Sequence, residues 1–83
     1  MSALRCVVTG AASGMGAAIA EGLRRRGDRV VGLDLSPATD TLIVDLADGD
    51  ARARVAEEAR ARLGGVDVLI NAAGIYRPGS VVD

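Results

Sequence analysis

Thr9-Gly10-Ala11-Ala12-Ser13-Gly14-Met15-Gly16 is the stretch on which the reading of this 83-residue chain turns. A short apolar run, Leu4 to Val8, leads into it, and a helix-compatible run ending near Arg26 leads out. Strand, glycine turn and helix in that order open a nucleotide-binding βαβ unit. Glycines at 10, 14 and 16 let the backbone turn sharply and approach a ligand with no Cβ in the way. The amides at the helix start then face outward, where the helix dipole favours an anion such as a pyrophosphate.

Outward from the turn, Leu4–Thr9 reads as a buried strand and 14–26 as the first helix, with Met15, Ile19, Gly22 and Leu23 on its apolar face. Arg24, Arg25 and Arg26 occupy its last turn as a solvated end, and Gly27 is the expected C′ residue. Arg29–Asp34 is the second strand and Thr41–Asp45 a third. Only six residues, 35–40, join these two strands, whereas a parallel pair normally takes a crossover of about a dozen or more. Either an extended linker manages the return or the pairing is different. Asp48 can cap a second helix running to Leu63, with Ala51, Val55, Ala59 and Leu63 as its apolar stripe. Arg54, Glu57, Glu58, Arg60 and Arg62 form a solvated opposite face, Gly64-Gly65 stops the helix, and Val66–Ile70 is a fourth strand.

Composition narrows the function. Net charge is −1, which argues against nucleic acid or an anionic membrane as the main partner. The chain has one cysteine and no histidine, so Cys6 has no internal disulfide partner and a zinc site of the usual kind is excluded. Cys6, inside the first strand, is expected to be reduced and structural. Arg5 before an Ala- and Gly-rich stretch loosely imitates a signal peptide, but Thr9, Gly10, Ser13, Gly14 and Gly16 interrupt the apolar run. No apolar run approaches the roughly 18 residues of a membrane helix, and the expected location is cytoplasmic.

The chemistry gathers where the strands end, the place where open α/β sheets bind ligands. Asp34 closes the second strand, 18 residues beyond Gly16, where a carboxylate can accept both hydroxyls of an adenosine ribose. Asp45 closes the third, placed to accept from an adenine amino group or to cap the loop. Asn71 closes the fourth and is followed by Ala72, Ala73 and Gly74, small residues that leave room for a flat ligand against the backbone.

With these residues in view, the chain resembles the N-terminal part of the short-chain dehydrogenase/reductase family. Thr9, Gly10, Gly14 and Gly16 match that family's Thr-Gly-x-x-x-Gly-x-Gly motif, Asn71 to Gly74 match its Asn-Ala-Ala-Gly, and Asp45-Leu46 resembles its acidic contact to the adenine ring. The resemblance implies an α/β fold: a partial Rossmann-like, doubly wound parallel sheet with strand order 3-2-1-4, truncated after the fourth strand, so that 1–83 is the incomplete N-terminal part of an NAD(P)-binding domain. It implies hydride transfer between a nicotinamide and an alcohol or carbonyl in a complete, homo-oligomeric enzyme. The implied cofactor contacts are Gly10, Ser13, Gly14, Met15 and Gly16 in the turn, Asp34 and Leu35 after the second strand, Asp45 and Leu46 after the third, and Asn71, Ala72, Ala73 and Gly74 after the fourth.

Cofactor choice follows from charge. A 2′-phosphate carries roughly −1.5 to −2 and is repelled by Asp34 unless a basic group offsets it. Family members that prefer NADP tend to carry a basic residue where this chain has Ser13 or Leu35, so NAD is expected and NADP less so. The family's catalytic Ser and Tyr-x-x-x-Lys have no counterpart. All 10 basic residues are arginines, and Tyr76, with Ser80 four residues on, is expected on the rim of the cleft rather than in catalysis. Hydride transfer by these residues alone is not expected. Two other readings remain: a small NAD-binding or regulatory module that acts by self-association or with a partner chain, and an S-adenosylmethionine-dependent methyltransferase fold, in which Asn71–Gly74 has no role. An unpaired fourth-strand edge and poor solubility of the isolated chain are also expected.

Overall fold

The computed structural model describes residues 3–72. Its elements are β1 (Arg5–Thr9), α1 (Gly14–Arg25), β2 (Arg29–Asp34), β3 (Thr41–Ile43), α2 (Gly49–Leu63) and β4 (Val68–Asn71). The four strands form one parallel sheet in the order β3-β2-β1-β4. The expected strand order and α/β architecture are thus present.

Alternation along the strands sends side chains to two helices on opposite faces. Cys6, Val8 and Val30 pack with Ala20, Ile19 and Leu23 of α1, joined by Val68 and Ile70. Val7, Val31 and Leu33 pack with Val55, Ala59 and Leu63 of α2, joined by Val44. A fully buried Val or Leu among them contributes roughly 1.5–3 kcal/mol, and the alanines and partly buried side chains less. Cys6 is fully buried, and that burial pushes its thiol up, in keeping with a structural role.

The apolar stripe of α2 is the expected one. Asp48 caps the helix by accepting from the amides of Asp50 (3.0 Å) and Ala51 (3.2 Å), and Gly64, at φ 80°, ends it. The charged face holds ion pairs Arg60–Glu57 and Arg62–Glu58, the latter at 3.0 Å. The stripe of α1 needs correcting. Met15 is 45 % exposed and Gly22 is exposed, while Gly16 and Ala20 are buried beside Ile19 and Leu23. The phase is set by Gly16, which must lie against the glycine turn, rather than by the bulk of Met15.

The short β2–β3 connection does close a parallel pair. β3 has only three residues and pairs only with Gly32, Leu33 and Asp34. The chain therefore returns by about 7 Å along the strand and 5 Å across it, well within the roughly 20 Å reach of six residues. Asp40 absorbs the reversal at φ 44°, and its carbonyl accepts from the Gly32 amide at 2.9 Å. Strand β3 stops at Ile43 rather than Asp45, because Val44 turns into the α2 core after its amide bonds the Asp34 carbonyl at 2.8 Å.

Strand β4 starts two residues later than expected because Asp67 is committed elsewhere. Its carboxylate accepts from the Arg5 amide (2.9 Å), Nε (3.0 Å) and Nη2 (2.9 Å), while Arg5 Nη1 donates to the Gly64 carbonyl at 2.8 Å. The bonds from Arg5 hold the Asp67 carboxyl at about 2. The arginine end of α1 is also more engaged than a solvated end. Arg26 Nη2 lies 2.8 Å from the buried Asp28 carboxylate, and Arg24 Nη2 donates to the Thr39 carbonyl at 3.1 Å. Gly27 follows at φ 94°, as expected of a C′ residue.

Candidate functional site

The site lies at the carboxyl ends of the strands and is built from the glycine turn outward. Gly10, at φ 69°, donates its amide to the Leu33 carbonyl at 2.8 Å and so ties the turn to β2. Gly14 sits at φ 58°. A Cβ on Gly16 would stand 1.9 Å from the Gly10 carbonyl oxygen, so only glycine lets α1 start this close to the turn. Ser13 is the N-cap in extended conformation, yet no side chain caps the helix and no acidic residue lies in its first turn. The positive end of the α1 dipole is therefore not neutralised from within the helix.

Asp34 stands beside the turn. Its Oδ2 accepts from the Ala12 amide at 2.9 Å and its Oδ1 from the Ser36 amide at 3.0 Å. Partial burial opposes the charged form, but the amides of Ser36, Ala12 and Leu35 outweigh it and hold the carboxyl below the ordinary carboxylate value. Across the gap Asp45 is exposed and its Oδ1 accepts from the Ala47 amide at 2.9 Å. Between them is a cavity of about 300 Å³ lined by Gly10, Ser13, Asp34, Leu35, Val44, Asp45, Leu46 and Ala47. No basic side chain is among that lining.

Of the residues singled out from sequence, Gly10, Ser13, Asp34, Leu35, Asp45 and Leu46 converge on this one cavity. Gly14, Met15 and Gly16 form the adjoining start of α1. Asn71 stands one strand over, where the Thr9 hydroxyl donates to its Oδ1 at 2.8 Å, and Ala72 behind it is fully buried. Ala73, Gly74, Tyr76 and Ser80 lie outside the described residues.

Four contributors were not anticipated. Val44 and Ala47 line the cavity because β3 ends early, and the break in β-branched residues after Val44 was the available signal. The Ala12 amide holds Asp34 through backbone alone, which no side-chain pattern announces. Gly32 makes room for the turn, since a Cβ there would meet the Ala11 Cβ at 2.5 Å. An interior strand glycine often marks such a close approach.

Comparison with known proteins agrees with this geometry. The short chain dehydrogenase family pattern matches residues 5–83. The chain is 42 % identical over 86 residues to 2-(R)-hydroxypropyl-CoM dehydrogenase of Xanthobacter autotrophicus, covering 83 % of this chain and 34 % of that protein. Among solved structures, the aldohexose dehydrogenase of Thermoplasma acidophilum superposes with a TM-score of 0.74 at 30 % identity, over 80 % of this chain and 28 % of that one. A short-chain dehydrogenase from Streptomyces avermitilis gives 0.74 at 36 % identity, over 82 % of this chain and 30 % of that one. The chain spans about a third of the length of the curated relatives it matches.

Proposed function

Because the chain belongs to the short chain dehydrogenase family, we propose that residues 1–83 are the NAD-binding portion of an oxidoreductase that transfers hydride between a nicotinamide and an alcohol or carbonyl group. The observation that carries this is Asp34 at the wall of the cavity, with each oxygen holding one backbone amide. A carboxylate offers about four acceptor sites, so beyond the backbone amides that hold it Asp34 keeps acceptor capacity for an adenosine ribose hydroxyl. The cavity, about 300 Å³, is at the small end of ligand sites and suits a nucleoside better than a whole dinucleotide. The uncapped start of α1 suits the adjoining pyrophosphate.

In this proposal Gly10, Ser13, Gly14, Met15 and Gly16 hold the pyrophosphate. Asp34 and Leu35 hold the adenosine ribose. Asp45 and Leu46 flank the adenine, and Asn71 to Gly74 border the route to the nicotinamide. The cofactor, when bound, supplies the hydride chemistry, and these residues bind and orient it. NAD is favoured over NADP because the cavity wall offers a carboxylate and no guanidinium to a 2′-phosphate. No lysine occurs in the 83 residues, so the Tyr–Lys proton-transfer pair of the family is not available within them and no turnover is expected from this chain by itself. Cytoplasmic location belongs to the same proposal. Among the described residues, no helix is long and apolar enough to cross a membrane.

Calorimetry on the purified chain tests the assignment. NAD and ADP-ribose are expected to bind, NADP at least about tenfold more weakly, and Asp34→Ala to lose about tenfold or more for NAD. A folded chain that gives no heat with millimolar NAD and ADP-ribose overturns it.

A further inference from the structure

The short β3 leaves part of the β2 edge open. Strand β3 pairs with Gly32, Leu33 and Asp34, so among the described residues no strand lies beside the earlier part of β2 on that side. In a strand, backbone groups two residues apart face the same way. The Gly32 amide points to the linker and bonds the Asp40 carbonyl, so Val30, two residues earlier, presents its carbonyl to the same open edge. Arg24 occupies that place. Its half-buried side chain comes from the last turn of α1, and Nη2 donates to the Thr39 carbonyl at 3.1 Å and approaches the Val30 carbonyl at 3.5 Å. A cavity of about 330 Å³ bordered by Arg24, Val30, Val31 and Asp40 marks the gap that a longer β3 would fill.

We infer that Arg24 stands in for the missing start of β3: it is a positioning residue that straps the 35–40 linker to the edge of β2 and thereby fixes Leu35 and Asp34 at the nucleoside end of the site. The linker is held at three points, one of them the Asp40 carbonyl that accepts from the Gly32 amide at 2.9 Å. Near its start the Ser36 amide bonds Asp34, and near its end the Thr39 carbonyl accepts from Arg24 and from the Thr41 hydroxyl at 2.9 Å. Between these points all side chains are exposed, and packing does nothing to place them. The guanidinium suits the task because it is always charged and its Nη2 alone carries two N–H donors, one for each carbonyl. One helix thus acts on both halves of the ligand, its first turn towards the phosphates and its last turn, through the linker, towards the ribose. The cofactor half of this inference rests on the NAD reading above; the linker half does not.

Amide hydrogen exchange by NMR, with NAD calorimetry on the same samples, tests it. Arg24→Leu keeps the apolar stem and removes the donors. It is expected to raise exchange at Gly32 and Ser36 about tenfold, the scale of one lost charge-assisted hydrogen bond, while Val7 and Val8 in β1 stay unchanged. NAD affinity is expected to fall roughly three- to tenfold, with Arg24→Lys intermediate in both readouts. Thr41→Val, which removes only the second bond to the Thr39 carbonyl, is expected to have the smaller effect and covers the case in which Arg24→Leu does not fold. Unchanged exchange at Gly32 and Ser36 in folded Arg24→Leu, or a Thr41→Val effect equal to that of Arg24→Lys, overturns the strap. Loosened exchange with unchanged NAD affinity overturns the positioning of the site. A wild-type chain that binds no NAD overturns the functional reading, and exchange alone then decides the strap.

Discussion

At Asp34 one side chain joins two segments, because its oxygens hold the Ala12 amide of the glycine turn and the Ser36 amide of the linker. Its charge is protected by those bonds, with the carboxyl held below the ordinary 3.8. The sign follows directly: a depressed carboxyl contributes above its unfolded value and is lost as pH falls through the folded one. NAD binding is therefore expected to hold steady from pH 7 down to about 4 and to decline only below that, which an affinity series against pH checks. The neighbouring Leu35 is 64 % exposed at the cavity wall and free of structural duty. Leu35→Arg is expected to leave stability within about 0.5 kcal/mol and to reduce the disadvantage of NADP relative to NAD by about tenfold, through a charge-assisted bond to the 2′-phosphate. Competition calorimetry with the two dinucleotides measures it. The acidic end of β2 at Asp34 was legible from sequence because both its chemistry and its spacing are, whereas β3 ends at Ile43, two residues before Asp45. The amides these two carboxylates hold were not legible, since the direction of a backbone N–H is set only by the fold.

Among the elements, α1 shows how one close contact can override a hydropathy pattern. Its sequence offers Met15 and Gly22 as part of the buried face, but the Gly16 approach to Gly10 rotates the helix so that both are exposed. Two glycine replacements in this helix are consequently expected to act in opposite directions. Gly16→Ala puts a Cβ against a backbone oxygen that cannot swing away, and is expected to cost about 3 kcal/mol or more. Gly22→Ala meets nothing within 4 Å on an exposed helix face, and is expected to stabilise by about 0.5–1 kcal/mol. Urea titrations followed by circular dichroism compare the two. Strand β2 and the α2 stripe could be read to the residue because periodicity, a capping Asp48 and the Gly64 stop agree there. The ends of β3 and β4 could not, because they are decided by distant partners: Val44 leaves for the α2 core and Asp67 is taken by Arg5, 62 residues away.

For the molecule as a whole, the Arg5–Asp67 pair joins the start of β1 to the entry of β4 and closes the amino end of the sheet. With Asp67 at about 2 in the folded chain against an ordinary 3.8, this contribution is complete above about pH 4 and is lost as pH falls towards 2. The urea midpoint is expected to drop across that window, and Asp67→Asn to remove that part of the acid dependence while lowering the midpoint at neutral pH. Within β4, Leu69 is 66 % exposed on the sheet face opposite α1, and no strand among the described residues pairs with the free side of β4. Such an edge invites pairing with other chains, so self-association in sedimentation velocity is expected and Leu69→Lys is expected to reduce it. The position of β1 has a consequence in time as well as in space. Among the described strands it is synthesised before the others, yet it lies in the middle of the sheet, with β2 on one side and β4 on the other. At about 5–20 residues per second on a ribosome, β4 follows β1 by roughly 3–13 s. During that interval β1, α1 and β2 can assemble, while the flank of β1 reserved for β4 stays open to any extended neighbour, including the same strand of the next nascent chain on a polysome.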